Sequence, residues 1–134
     1  MFLSYLKDYN KEKFLKVCVH AALSNKNFAE EEKTAINMYC REMDLPVHEL
    51  EVNESFNDLL KDISDSTTKE EKKIIVLETL ALVKSDGVYD EKEKAFMNEL
   101  IEAFGISESK LSQFDELLQK YTEIGKELYS AITE

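Results

Sequence analysis

Carboxylates gather at one point of this chain, the stretch Ser85-Asp86-Gly87-Val88-Tyr89-Asp90-Glu91-Lys92-Glu93. Asp86, Asp90 and Glu93, with Glu91 beside them, offer the oxygen ligands that hard cations such as calcium, magnesium or manganese take up. The chemistry open to them is ligation of a divalent cation. The same residues have a second use that needs no metal. Gly87 can take the left-handed conformation that closes a helix. Asp90 can cap the next helix, and Glu93 stands at the offset from which its side chain reaches back to the cap. Acids in a first helical turn also complement the helix dipole. Both readings follow from the residues. An EF-hand does not: with Gly87 as the sixth loop residue the first ligand would be Leu82, and with Asp86 as the first ligand the twelfth position would be Met97.

No other constellation rises to a site. His20 and His48 have no third ligand at a regular spacing and read as packed or surface residues. There is no Gly-rich phosphate loop, GxSxG elbow or HExxH motif. Ser24 and Ser85 lie at helix ends and read as cap residues. Glu78 interrupts an apolar run; a buried carboxylate there would interest us as a general acid, but we expect it on the one exposed strip of its helix. The Tyr and Phe stripes read as core. No enzymatic activity, and no catalytic residue, is expected.

The elements that must position the acidic corner are helices. Ile74 to Val83 is apolar almost all the way round, with Glu78 and Thr79 as its breaks, which marks a buried central helix. Thr67 with Glu70, or Thr68 with Glu71, forms the capping box that starts it. After Asp90 a second helix carries Phe96, Leu100, Ile101 and Phe104 and ends at Gly105. Upstream, Phe2, Leu3, Leu6 and Tyr9 fall at helical spacing, and an apolar helix follows over 11–24. A corner at Asn25-Lys26-Asn27 leads to a helix through Glu30 to Met43, which Leu45-Pro46 breaks. Residues 54–64 form an amphipathic helix. Ser107 caps another through Tyr121, and 122–133 reads as a separate last helix that Gly125 weakens.

The chain of 134 residues is one domain, 1–134, by size. Three Gly and one Pro leave little material for turns, which favours a compact all-α bundle of about seven helices over a β fold. The net charge of −11 disfavours nucleic acid and an anionic membrane surface and fits a cation or a protein partner. The N-terminal residues do not read as a signal peptide and no run approaches a spanning helix, so we expect no membrane insertion and a cytoplasmic location. Cys18 and Cys40 make no zinc spacing and pack as small hydrophobes.

The order of elements occurs twice: apolar helix, corner, amphipathic helix, Leu or Ile break, amphipathic helix. Shifting the chain by about 60 lays Ser24 on Ser85, Glu30 on Glu91 and FNDLLKDI at Phe56 on FDELLQKY at Phe114. We read two pseudo-repeated halves, about 11–65 and 69–122, whose apolar helices 11–24 and 69–85 pack against each other.

The segment LALVKSDGVYDEKEKAFMNELIEAFGIS resembles the helix–Asp-Gly–helix hairpin of the tellurite-resistance TerB-like proteins, through Asp86, Gly87, Asp90, Glu93, Phe104, Gly105, Ile106 and Ser107. That resemblance implies an all-α fold of two related halves, an association with stress response, and acidic residues suggested as ligands for a divalent cation. The first half departs from the pattern, with Asn25-Lys26-Asn27-Phe28-Ala29 where an acidic Asp-Gly corner would stand. The expectation is a small binding module acting through a protein partner, with a cation at Asp86, Asp90 and Glu93. Its alternative is a helical protein–protein interaction scaffold that needs no metal, where a groove between the halves takes a partner helix.

Overall fold

A helix that is apolar on nearly every side has to be surrounded, and Lys69–Val83 is. In the computed structural model, which describes residues 1–24, 30–46, 53–85 and 87–134, this helix touches most of the other elements. Among the described residues there is no strand. A short 3-10 turn, Leu3–Tyr5, precedes six α-helices: α1 (Asp8–Ser24), α2 (Glu30–Glu42), α3 (Phe56–Ser66), α4 (Lys69–Val83), α5 (Glu91–Phe104) and α6 (Glu108–Thr133). The all-α bundle expected from composition is the fold found. The corner at 25–29, His48 and Asp86 lie outside the described residues.

Helices α1 and α4 pack on each other, as their shared lack of a polar face requires. Phe14, Leu15 and Cys18 of α1 and Ile75, Leu80 and Leu82 of α4 are all buried. Helix α3 lies on α1 and α5, and α2 closes the side near the N-terminus. Phe56 of α3 stacks on Phe96 of α5 with ring centroids 4.5 Å apart, and His20 of α1 lies against Phe56 at 5.3 Å. Burial lowers the His20 pKa against a smaller opposing effect of Glu54. His20 is thus a packed residue, as its isolation in sequence implied.

The helix ends follow their local chemistry. Of the two capping boxes open to α4, the structure uses Thr68 with Glu71. Helix α2 stops where Asp44 turns left-handed at φ 57°, one residue before Leu45 donates its N–H to Cys40 O at 2.8 Å. Helix α5 stops in the same way at Gly105, φ 67°, with Ile106 N–H on Ile101 O at 2.9 Å. Ser107 caps α6, accepting from Lys110 N at 3.1 Å.

Three expectations are corrected. Residues 122–133 are not a separate helix: α6 runs unbroken for 26 residues. A single Gly in a helix costs about 1 kcal/mol, which is too little to break one whose flanks are good formers. The N-terminal segment is a 3-10 turn rather than a helix through Tyr9, and it buries Leu3 and Leu6 while leaving Phe2 and Tyr9 exposed. Finally, Tyr121 and Tyr129 are not core. They are 64% and 69% exposed, in an apolar stripe of α6 that faces outward.

Candidate functional site

At the acidic corner the second use of the residues is present in full. Asp90 Oδ1 accepts from Glu93 N at 2.8 Å, and Glu93 Oε1 accepts from Asp90 N at 3.3 Å, a complete capping box. Glu93 is wholly buried. Tyr89 sits in the corner half-buried, with the ammonium groups of Lys84 and Lys94 at 5.4 and 5.7 Å from its ring centre. Burial, then the charges of Asp115 and Glu93, push the Tyr89 hydroxyl up to about 12. Lys84 pairs with Asp115, and Lys94 with Glu91 at 3.3 Å.

The described residues therefore bring Asp90 and Glu93 together, and each spends one oxygen on the cap. Glu91 is turned toward a lysine. Asp86 is outside the described residues. Among the described residues no group of three His, Cys, Asp or Glu side chains is placed to hold a metal ion. A hard cation takes six or more oxygen ligands, so Asp90 and Glu93 do not make a cage by themselves.

A second acidic pair was not singled out by spacing. Glu71 and Glu78 lie two turns apart on one face of α4, and both are buried. Glu78 Oε1 accepts from Phe2 N at 2.8 Å and lies 3.0 Å from the Met1 amine. Glu42 of α2 brackets the same segment, taking the Met1 amine at 2.8 Å and Leu3 N at 2.9 Å. Glu71 Oε2 accepts from Lys7 N at 3.0 Å and from the buried Asn10 side chain at 2.9 Å, while its Oε1 completes the α4 cap on Thr68 N at 3.1 Å. Residues 1–10 are thus pinned along α4 by carboxylates that receive main-chain and amide donors.

This overturns the expectation that Glu78 lies on an exposed strip: it is 1% exposed. Its partners are 76 residues away in sequence, which no reading of α4's own periodicity can reveal. A buried carboxylate is tolerated because it is hydrogen-bonded and faces a positive group. Burial alone would raise the Glu71 pKa, but the donors Lys7 N, Asn10 and Thr68 N outweigh it and hold the carboxyl below its ordinary value.

The pinned segment forms one wall of a groove. Met1 and Phe2 on one side, Leu77 at the base and Phe114, Leu117, Leu118 and Tyr121 of α6 on the other enclose about 510 Å³. From its mouth the apolar stripe of α6 continues through Ile124, Leu128, Tyr129 and Ile132, which are at least half exposed. The groove and this exposed apolar stripe are continuous along α6.

An all-α bundle whose α4–α5 hairpin turns at Gly87 and restarts on an Asp-Glu cap is the architecture that the TerB-like resemblance implied. Residues 11–116 match the family described as tellurite resistance protein TerB, and the chain belongs to that family. A solved structure of a tellurite resistance protein from Nostoc punctiforme PCC 73102 shares the fold with a TM-score of 0.72. It is 17% identical to this chain over 95% of its length, and 82% of the Nostoc chain is covered. No curated protein matches the chain in sequence. Residues 117–134, which carry the exposed stripe, lie beyond the family match. No helix among the described residues is long and apolar enough to cross a membrane.

Proposed function

We propose that this TerB-family chain is a non-enzymatic binding module that works through protein contacts, with the groove and the α6 stripe as its docking face. The observation that supports this most is the continuity of the two. A helix laid along α6 would bury Tyr121, Ile124 and Leu128 and insert its own apolar residues between Phe2 and Leu117. The Glu71 and Glu78 clamps fix the groove wall in advance, so that binding need not order it. A role in stress response, which the TerB-like resemblance implied, and a cytoplasmic location belong to this reading. So does the view of 11–65 and 69–122 as an internal duplication.

The test is affinity capture with tagged wild type and with Leu117→Asp/Leu128→Asp, each in calcium and in chelator. The wild type should retain a chain, its own or another, that the variant loses, in both buffers. Equal recovery by both baits would remove the docking face from the account.

A second reading is that Asp86, Asp90 and Glu93 hold calcium, magnesium or manganese. The buried carboxylate of Glu93, on the same turn as Asp90, favours it; the cap and the two lysines weigh against it. Specific binding must raise stability by mass action. On this reading the melting temperature rises in millimolar cation and the rise vanishes in Asp86→Asn/Asp90→Asn. A melt unchanged by cation removes the site.

A further inference from the structure

Helix α6 carries a seam that is complementary to itself. Half-buried Phe114 and the exposed residues Leu117, Tyr121, Ile124, Leu128 and Ala131 are spaced 3, 4, 3, 4 and 3, the a/d pattern of a two-stranded coiled coil. The seam starts inside the groove, at Phe114, and runs out along a part of the helix where every side chain from Tyr121 onward is exposed. Among the described residues, none buries it from Tyr121 onward.

We infer that the occupant is the α6 of a second copy, running antiparallel, with the two-fold axis between Tyr121 and Ile124. This rests on the docking-face reading and names its partner. Four features of the sequence fit one register. Antiparallel layers set Phe114 against the partner's Ala131, Leu117 against the partner's Leu128 and Tyr121 against the partner's Ile124, so that every large residue at the groove end meets a smaller or aliphatic one. In the same register Lys120 faces the partner's Glu127, an opposite-charge pair made twice by symmetry. Leu118 faces the partner's Gly125. Leu111, packed on the core edge, faces the partner's Ile132.

Gly125 is otherwise unexplained. It has no positive φ, and a Cβ placed on it would meet nothing within 4 Å. An exposed mid-helix Gly forfeits about 1 kcal/mol of helix propensity relative to Ala. Facing Leu118, it lets the two backbones approach. Charge points the same way. The chain as a whole has a net charge of −11, which opposes self-association, but residues 117–134 hold two lysines against three glutamates. Like-charge repulsion is therefore low along that part of the helix.

The test is sedimentation velocity of the full chain from 5 to 500 μM. The wild type should convert from monomer to dimer within that range, and Leu128→Asp should stay monomeric. Lys120→Glu should weaken the dimer about tenfold, since both symmetric pairs become repulsive. Lys120→Glu/Glu127→Lys should restore it to within about twofold, a rescue that a general loss of folding cannot mimic. A wild type monomeric at 500 μM overturns the inference, as does a charge swap that fails to rescue. If the chain is monomeric while the wild-type bait still retains a different chain that Leu117→Asp/Leu128→Asp loses, the self-pairing falls and the docking face stands. If both are lost, both fall.

Discussion

Replacing Glu71 by Ala removes more from this structure than a helix cap. Three donors lose their acceptor: Thr68 N, Lys7 N and the Asn10 amide. Hydrogen bonds to an ionised group are worth about 1.5–3 kcal/mol each, and a buried donor left unpaired costs a further 1–3. Asn10 keeps a second acceptor in Ser66 O at 3.1 Å, and Lys7 N is only partly buried, so water replaces some of the loss. The net cost is about 3–4 kcal/mol, a large share of the 5–15 kcal/mol usual for a domain. For a chain of this length that lowers the melting temperature by roughly 10–15 °C. The pH dependence carries the sign. The Glu71 pKa lies below its unfolded value near 4.5, so its stabilisation is complete above that pH and fades as pH falls through the folded pKa. Urea unfolding followed by circular dichroism at pH 7, 5, 4 and 3.5 measures both quantities. Glu71→Gln keeps the shape and should lose the part of the acid-side slope that Glu71 supplies. A Glu71→Ala unfolding free energy within about 0.5 kcal/mol of wild type would refute the clamp, as would an acid-side slope unchanged in Glu71→Gln.

Other substitutions separate the remaining parts of the account. Leu80→Ala, in the fully packed face of α4, should cost about 2–5 kcal/mol by urea unfolding. Gly105→Ala should cost about 1–2 kcal/mol from left-handed strain alone, because the added methyl has no neighbour to strike. Gly125→Ala carries no such strain and should instead raise the helical signal of the dilute chain. A fall in that signal would contradict an exposed, unstrained helix at Gly125.

The sequence carried the hairpin around the acidic corner well. The Asp90–Glu93 cap, the Gly105 stop and the Ser107 cap are local, each set by residues within four positions, and the structure has all three. The packing of α1 on α4 was legible too, because a helix without a polar face admits one environment. What escaped is what depends on distant chain. Glu78 looks like a surface break in an apolar helix until residues 1–3 are laid over it. The α6 stripe looks like core because periodicity records that a face is apolar and not whether anything covers it. Gly125 looked like a helix boundary for a related reason: its cost is known from propensity, while the continuity of the helix rests on its neighbours.

Amide hydrogen exchange of residues 122–133 at low and high protein concentration tests the docking face most directly. Those amides belong to a helical segment whose side chains are all exposed, so in the dilute chain they should exchange with little protection beyond that of an isolated helix. At 500 μM, with the seam covered, we expect their exchange to slow by at least tenfold while α1 and α4 are unchanged. Exchange equally fast at both concentrations would contradict a face built for contact with a second copy.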